Sequence, residues 1–167
     1  VKGDAAGVTR EKLNLADGRG AAIIDFKQVK IGADDKLSGG SALLHTVADR
    51  VRAVLAAEML GSASQAFDTT VDYLKTRVQF GHVIGSFQAL QHRAAAMLGR
   101  IELSRSIVEA ALAAIDAGSD DVPLLVSAAQ VKVGDTVHVV SNEMVQMHGG
   151  IGMTDEHDAG FYLKRAR

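Results

Sequence analysis

The hydrophobic pattern of the chain changes near residue 41. Before that point, glycines separate short runs in which apolar and polar residues alternate. The clearest run covers residues 21–31, and its period of two predicts a β-strand with a bulge near Lys27 and Gln28, where the alternation slips by one position. Residues 8–15 are a second strand candidate. Because two or three strands form no stable sheet alone, we expect this segment to pack on other parts of the protein.

Beyond residue 41, apolar residues recur every three or four positions, which is typical of helices. Gly118 is a suitable C-terminal stop for the second helix, and Ser119, Asp120 and Asp121 offer N-caps for the third, with Pro123 in its first turn. Four helices are therefore expected, over residues 42–79, 86–117, from these caps to about 148, and 156–167.

The apolar spacing also predicts which helical residues face the core. These residues are Val47, Val51, Val54, Leu55, Met59, Ala63, Phe67, Val71 and Leu74 in the first helix, Leu90, Ala94, Met97, Ile101, Ile107, Leu112 and Ile115 in the second, and Leu124, Ala128, Val131, Val137, Val140, Met144 and Met147 in the third. Long helices joined by short turns pack antiparallel. The predicted fold class is therefore mainly α, an up-down four-helix bundle preceded by a short β segment.

Composition narrows the possible functions. Hydrophobic residues make up 47 % of the chain and aromatic residues only 4 %, so the core is expected to be aliphatic. The net charge is −2, with 18 basic and 20 acidic residues intermixed, so we expect no nucleic-acid partner. The chain has no cysteine, which excludes disulfides and thiolate chemistry and fits a reducing, cytoplasmic location. No apolar run approaches the roughly 20 residues that span a bilayer, so no membrane association is expected.

The stretch of residues 77–91, between the first two helices, has more functional groups than a turn needs. It contains phenylalanine rings, glutamine amides, glycines and a histidine. Arg77 follows the first helix, and Gln88 and Gln91 lie in the first turns of the second, near backbone N–H groups that attract anions. On residue types alone, a phosphate or pyrophosphate site and a merely capped, packed turn both remain open.

Two further motifs have ambiguous chemistry. Residues 146–153 have three glycines in four positions, which fit a close approach to a ligand or a simple helix stop; they match neither a Walker loop nor a dinucleotide fingerprint. Glu156 and His157 invite an acid–base or metal interpretation, but neighbouring helical residues face different ways, and we expect no metal. Asp49 and Arg52, early in the first helix, fit either a solvated face or the wall of a cleft.

Taken together, these motifs resemble a known family. The string Tyr-x-x-x-Arg-x-Gln-Phe-Gly-x-x-Ile-x-x-Phe-Gln-Ala-x-Gln-His, residues 73–92, closely resembles the helix–loop–helix of the acyl-CoA dehydrogenases. Residues 146–156 resemble the second signature of that family, at the right distance. Residues 1–40 look like the end of its middle β-domain, and residues 41–167 look like its C-terminal helical bundle. The missing initiator Met also favours a piece of a longer protein.

The resemblance implies an activity and partners. Members are FAD-dependent oxidoreductases of fatty acid and lipid metabolism, which oxidise acyl-CoA thioesters to trans-2-enoyl-CoA and pass electrons to an electron-transfer flavoprotein. They assemble as homodimers or homotetramers, or with a related subunit in heteromers. Since other domains complete the flavin site in this family, the 167 residues alone are expected to be inactive.

The resemblance also assigns residues to roles, position by position. Arg77 should lie near the pyrophosphate of a neighbouring subunit's flavin, and Asp49 and Arg52 should border the acyl-CoA. The implied FAD contacts are Arg77, Gln79, Phe80, Ile84, Gln88, Gln146, Gly149 and Gly150.

The catalytic base is the point at which the match fails. One family position for it corresponds to Val51, which cannot take a proton, and the other is expected about six residues beyond Arg167. The base is therefore unassigned. Glu156 is only a substitute candidate, because the family has a glutamate at this position that does not act as the base. The alternatives are a base-lacking structural subunit that completes the FAD site and oligomer of a heteromeric enzyme, an acyl-CoA oxidase that uses oxygen, and an unrelated helical interaction domain without flavin.

Overall fold

A computed structural model describes residues 1–16 and 18–167 of the chain. In chain order, the helices and strands of this described part are β1 Val8–Asn14, β2 Gly20–Phe26, α1 Gly40–Thr76, β3 Val78–Gln79, β4 His82–Val83, α2 Gln88–Ala117, α3 Val122–His148 and α4 Ala159–Arg165. The predicted class, a helical bundle after a short β segment, is confirmed. The described residues divide into two compact units, residues 1–46 and 47–167. Within the described ranges, no helix combines the length and the apolar composition needed to cross a membrane.

The first unit contains an antiparallel hairpin in which β1 pairs with β2, from Val8 opposite Phe26 to Asn14 opposite Gly20. The predicted continuation of the strand through a bulge at Lys27 and Gln28 is wrong. β2 ends at Phe26, and Gln28 turns the chain away with a φ of 51°. The Lys27 N–H donates to the Gly7 carbonyl at 2.8 Å, which holds this exit against the start of the hairpin.

Most helix ends agree with the expected ones to within a few residues, and the differences have local causes. α1 ends at Thr76 instead of residue 79, because Val78–Gln79 pairs with His82–Val83 in a small hairpin. Gly118 is confirmed as the stop of α2, with a left-handed φ of 63°. α4 is shorter than predicted, since it begins only at Ala159. The expected side-chain cap of α3 is also wrong: Asp121 makes no capping bond, and its N–H instead donates to Ser119 Oγ at 3.1 Å.

The core face of α1 agrees with the prediction only in part: Ala63 and Leu74 are buried as predicted, but the valines of its N-terminal half are exposed. Its buried residues are mostly small: Asp49, Ala53, Ala56, Leu60, Ala63, Ala66, Thr70 and Leu74. The predicted core residues Val47, Val51 and Val54 are 49 %, 52 % and 65 % exposed, and Leu55 is exposed as well. The valines and the alanines of α1 both recur at helical spacing, so periodicity alone favours the more hydrophobic valines. The alanines are the ones buried, because small side chains let the helices pack closely.

α2 and α3 supply the larger core side chains. Met97 and Ile101 of α2 and Val133 and Met144 of α3 are nearly or fully buried. A buried hydrogen bond of 2.8 Å joins Ser104 Oγ to Thr136 Oγ1 between these two helices. Three residues near the start of α3 were also predicted to face the core but are exposed: Leu124, Ala128 and Val131.

Candidate functional site

A cavity of about 330 Å³ lies where the end of α1, the start of α2 and the end of α3 meet. Six of the eight residues predicted to contact FAD line it: Arg77, Gln79, Ile84, Gln146, Gly149 and Gly150. Phe80 and Gln88 are not in its wall. Both motifs singled out in the sequence therefore meet at one place, although some 70 residues separate them.

The backbone around Arg77 is held by the small hairpin. The Arg77 carbonyl accepts a hydrogen bond of 2.8 Å from the Ile84 N–H, which closes the loop. Gly85 then passes so close to α1 that a Cβ there would lie 2.8 Å from the Leu74 carbonyl oxygen, and its own carbonyl accepts from Gln91 Nε2 at 2.9 Å. Only glycine fits this passage, and the loop that follows Arg77 is consequently anchored on both helices.

Another part of the wall is formed by Gly149 and Gly150, the first residues of the 3-10 segment Gly149–Met153, which we call the glycine turn. Gly149 has φ 64° and ψ −142°, a conformation that in practice only glycine adopts. Gly152 is packed so tightly that a Cβ would lie 2.7 Å from the Val145 carbonyl oxygen and 2.9 Å from His148 Cβ. At Gly150 a Cβ would meet nothing within 4 Å. Gly152 thus fastens the turn, while Gly149 and Gly150 leave the wall open.

Two arginines give the cavity positive charge. Arg93 of α2 contributes one, but it is paired with Glu143 of α3, through Nε at 2.7 Å and Nη2 at 2.6 Å. Arg77 is exposed, and among residues 1–16 and 18–167 no carboxylate lies within ion-pair distance of it. Because guanidinium groups bind phosphate oxygens through paired N–H donors, the free charge of Arg77 suits an anion.

His148, the last residue of α3, lines the same cavity and was missed in the sequence. It is 3 % exposed, its Nδ1 donates to the Met144 carbonyl at 2.7 Å, and in the described part of the chain nothing bonds to its Nε2. Burial lowers the pKa of His148 below its usual 6.5, with a further lowering by His157 and an opposing effect of the bond to Met144. The imidazole is therefore neutral at pH 7.

Comparison with known proteins shows the family of the chain. The family profile described as "Acyl-CoA dehydrogenase, C-terminal domain" matches residues 38–167. The chain belongs to the acyl-CoA dehydrogenase family. This membership confirms the predicted family and excludes the alternative of an unrelated helical domain.

Relatives and solved structures give the extent of the similarity. The chain is 38 % identical over 148 residues to acyl-CoA dehydrogenase IpdE2 of Mycolicibacterium smegmatis, across 87 % of this chain and 42 % of that relative. It superimposes with a TM-score of 0.89 and 25 % identity on the ChsE4–ChsE5 complex of Mycobacterium tuberculosis, covering 99 % of this chain and 45 % of that one. With a structure described as an electron transferring flavoprotein of Acidaminococcus fermentans, the TM-score is 0.88 and the sequence identity 27 %, and the match covers 99 % of this chain and 45 % of that one. The chain thus spans less than half the length of each of these proteins.

The remaining predicted site residues of this acyl-CoA dehydrogenase chain lie elsewhere. Asp49 is buried and its Oδ1 lies 3.2 Å from Arg52 Nη1, while the Arg52 carbonyl accepts from Gln130 Nε2. More than six turns of α1, roughly 35 Å, separate Asp49 from Tyr73 at the cavity. Glu156 is exposed and outside the cavity wall. The substrate role of Asp49 and Arg52 and the substitute role of Glu156 stay predictions.

Proposed function

We propose that the chain is the FAD-binding C-terminal part of an acyl-CoA dehydrogenase that converts an acyl-CoA thioester to trans-2-enoyl-CoA. The observation that carries the proposal is the convergence of Arg77, Gln146 and the glycine turn on one cavity. Membership of the family supports the reaction class.

The residues of the cavity fit part of FAD. Arg77 offers a free guanidinium for a phosphate, and Leu90 in the first turn of α2 lines the same cavity. Gly149 and Gly150 leave room for a ligand to approach the main chain. The volume of about 330 Å³ is at the low end for a small-molecule site, so the cavity suits the pyrophosphate portion of FAD, with the remainder bound by other parts of the assembly.

When bound, FAD would supply the two-electron acceptor for the hydride that leaves Cβ of the acyl-CoA while a base removes the proton from Cα. This chain's own residues bind and orient: Arg77 neutralises phosphate charge, and the glutamine amides of Gln79 and Gln146 offer hydrogen bonds to its polar groups. Transfer of the electrons onward to an electron-transfer flavoprotein is proposed on the similarity to the Acidaminococcus fermentans structure.

The second candidate is a structural subunit without a base, which completes the FAD site and the oligomer of a heteromeric acyl-CoA dehydrogenase. Val51 favours it, because an exposed valine stands where the family resemblance puts one of its two base positions. The similarity to the ChsE4–ChsE5 complex supports the same candidate. In the first candidate, by contrast, the chain is part of a homodimer or homotetramer.

The test is FAD binding followed by turnover, in the full-length protein. Arg77→Ala should lose the flavin absorbance of the purified protein, whereas the matched control Arg105→Ala, which alters a half-exposed arginine paired with Glu102 on α2, should keep it. Oxidation of acyl-CoA with electron-transfer flavoprotein would support the enzyme. Bound flavin with turnover only after a related subunit is added would support the structural subunit. A folded protein that binds no FAD, with or without that subunit, would overturn both.

A further inference from the structure

We propose that His148 is the positioning residue of the cavity: its imidazole fixes the glycine turn against α1 and α3, in the orientation in which Gly149 and Gly150 form the cavity wall. The identity of the ligand rests on the function proposed above. The contacts of His148 do not, because they are made within this chain.

Three contacts tie His148 to its surroundings. Its Nδ1 donates to Met144 at 2.7 Å, one helical turn back, so the proton of the neutral ring is on Nδ1. Its own carbonyl accepts from the hydroxyl of Tyr73 of α1 at 3.3 Å. Its Cβ lies where a side chain on Gly152 would have to go. One residue therefore joins α1, α3 and the glycine turn.

The imidazole is also enclosed between two rings. The Tyr73 ring lies 4.4 Å from it, tilted by 31°, and the His157 ring lies 4.2 Å away, tilted by 45°. His157 is fixed in turn, because its Nδ1 accepts from the Ala159 N–H at 3.1 Å. This stack prevents the ring of His148 from turning while the bond to Met144 holds its plane.

The charged and titratable groups around the imidazole disfavour a second proton. Tyr73 faces it from α1 and His157 from the segment before α4, while Arg77 and Arg93 line the same cavity, the latter with its partner Glu143. A proton on Nε2 would be buried and would have no acceptor in the described part of the chain. Protonation of His148 therefore opposes the arrangement that positions the turn.

The first experiment measures amide hydrogen exchange of residues 149–152 in the full-length protein. His148→Phe keeps a ring in the stack but removes the Nδ1 donor, whereas the amide nitrogen of His148→Asn replaces that donor. We expect about tenfold faster exchange in the Phe variant, the factor associated with one lost buried hydrogen bond, and a smaller increase in the Asn variant, which keeps the donor but loses the ring stack. His92→Phe, at an exposed histidine of α2, is the matched control. Unchanged exchange in the Phe variant would overturn the proposal.

The second experiment measures FAD affinity by quenching of flavin fluorescence, from pH 5 to pH 8. The Phe variant should bind about tenfold more weakly, and the Asn variant should recover most of the affinity. Wild-type affinity should fall as the pH drops through the pKa of His148, which burial lowers below its ordinary 6.5, while the Asn variant should lack that fall because it has no imidazole to protonate at this position.

The two experiments fail in distinguishable ways. If the wild type binds no FAD but the Phe variant loosens the glycine turn more than the Asn variant does, the proposed function fails and the positioning role stands. If FAD binds and the Phe variant matches the wild type in exchange and affinity, the positioning role fails alone. If the acidic fall persists in the Asn variant, or if that variant loosens the turn as much as the Phe variant, the assignment to His148 is wrong. Circular dichroism of each variant confirms its fold.

Discussion

The hydroxyl of Tyr73 donates a hydrogen bond of 3.3 Å to the main-chain oxygen of His148, which connects the last turn of α1 to the last residue of α3. The two rings also stack, at 4.4 Å. Tyr73 therefore contributes both a polar contact and a packed ring to the end of the bundle that holds the cavity.

The two contributions of Tyr73 can be separated by substitution. Tyr73→Phe removes only the hydrogen bond and should lower the free energy of unfolding by about 1 kcal/mol, measured by urea denaturation. Tyr73→Leu also removes the ring stack and should lower it further, by about another 1 kcal/mol. Tyr162→Phe is the control, since no hydrogen bond of the Tyr162 hydroxyl is found within residues 1–16 and 18–167. Equal stability of the Tyr73→Phe variant and the wild type would show that this hydrogen bond does not stabilise the fold.

Two glycines of the glycine turn should respond differently to substitution by alanine. Gly152→Ala places a Cβ 2.7 Å from a backbone oxygen and should destabilise the protein by about 1–3 kcal/mol, seen as a lower Tm. Gly150→Ala meets nothing within 4 Å and should leave the Tm unchanged, but its methyl group enters the cavity wall and should weaken FAD binding. A normal FAD affinity in the Gly150→Ala variant would argue against close approach of the ligand there.

The ion pair of Arg93 and Glu143 should limit the positive charge of the cavity. Glu143→Gln leaves Arg93 without its counter-charge, so ADP and FAD should bind a few-fold more tightly at low salt, with the gain lost at high ionic strength. Because the two side chains are 40 % and 25 % exposed, the loss of stability should stay below about 1 kcal/mol. Nucleotide titrations at two salt concentrations measure the effect, and weaker binding at low salt would contradict it.

The stability of the protein should depend on the protonation of His148. Since burial lowers the pKa of His148 in the folded state below its ordinary 6.5, the unfolded chain binds more protons between those two pKa values. The stabilisation by the neutral imidazole should therefore be complete above pH 6.5. The free energy of unfolding should decrease as the pH falls from 6.5 through the lowered pKa of the folded state. The difference between wild type and His148→Asn, measured by denaturant titration at several pH values, isolates this contribution. A difference that does not vary with pH would refute it.

The sequence predicted the helices and singled out both motifs that line the cavity, but not the packing. Gly118 and the three glycines after α3 marked helix ends because glycine has a local conformational preference that needs no tertiary partner. The choice between the Val47, Val51 and Val54 face of α1 and its alanine face depends on how closely the helices approach, which periodicity does not contain. His148 was missed for a similar reason, since its importance comes from Tyr73, which lies 75 residues away in the chain.

The exposed ring of Phe80 provides a test of assembly. Phe80 lies at the tip of the β3–β4 hairpin, 88 % exposed and with a left-handed φ of 55°, and its ring packs edge-on against the ring of Phe87, with the centroids 6.2 Å apart. A left-handed non-glycine residue costs about 1–3 kcal/mol, so Phe80→Gly should leave the protomer as stable or slightly more stable.

If this ring contacts FAD across a subunit interface, as the family resemblance implies, the same change should weaken FAD binding and self-association. Sedimentation equilibrium and FAD titration measure both, with Phe161→Ala, at another exposed phenylalanine, as the control. Normal assembly and normal FAD affinity in the Phe80→Gly variant would show that the ring makes no such contact.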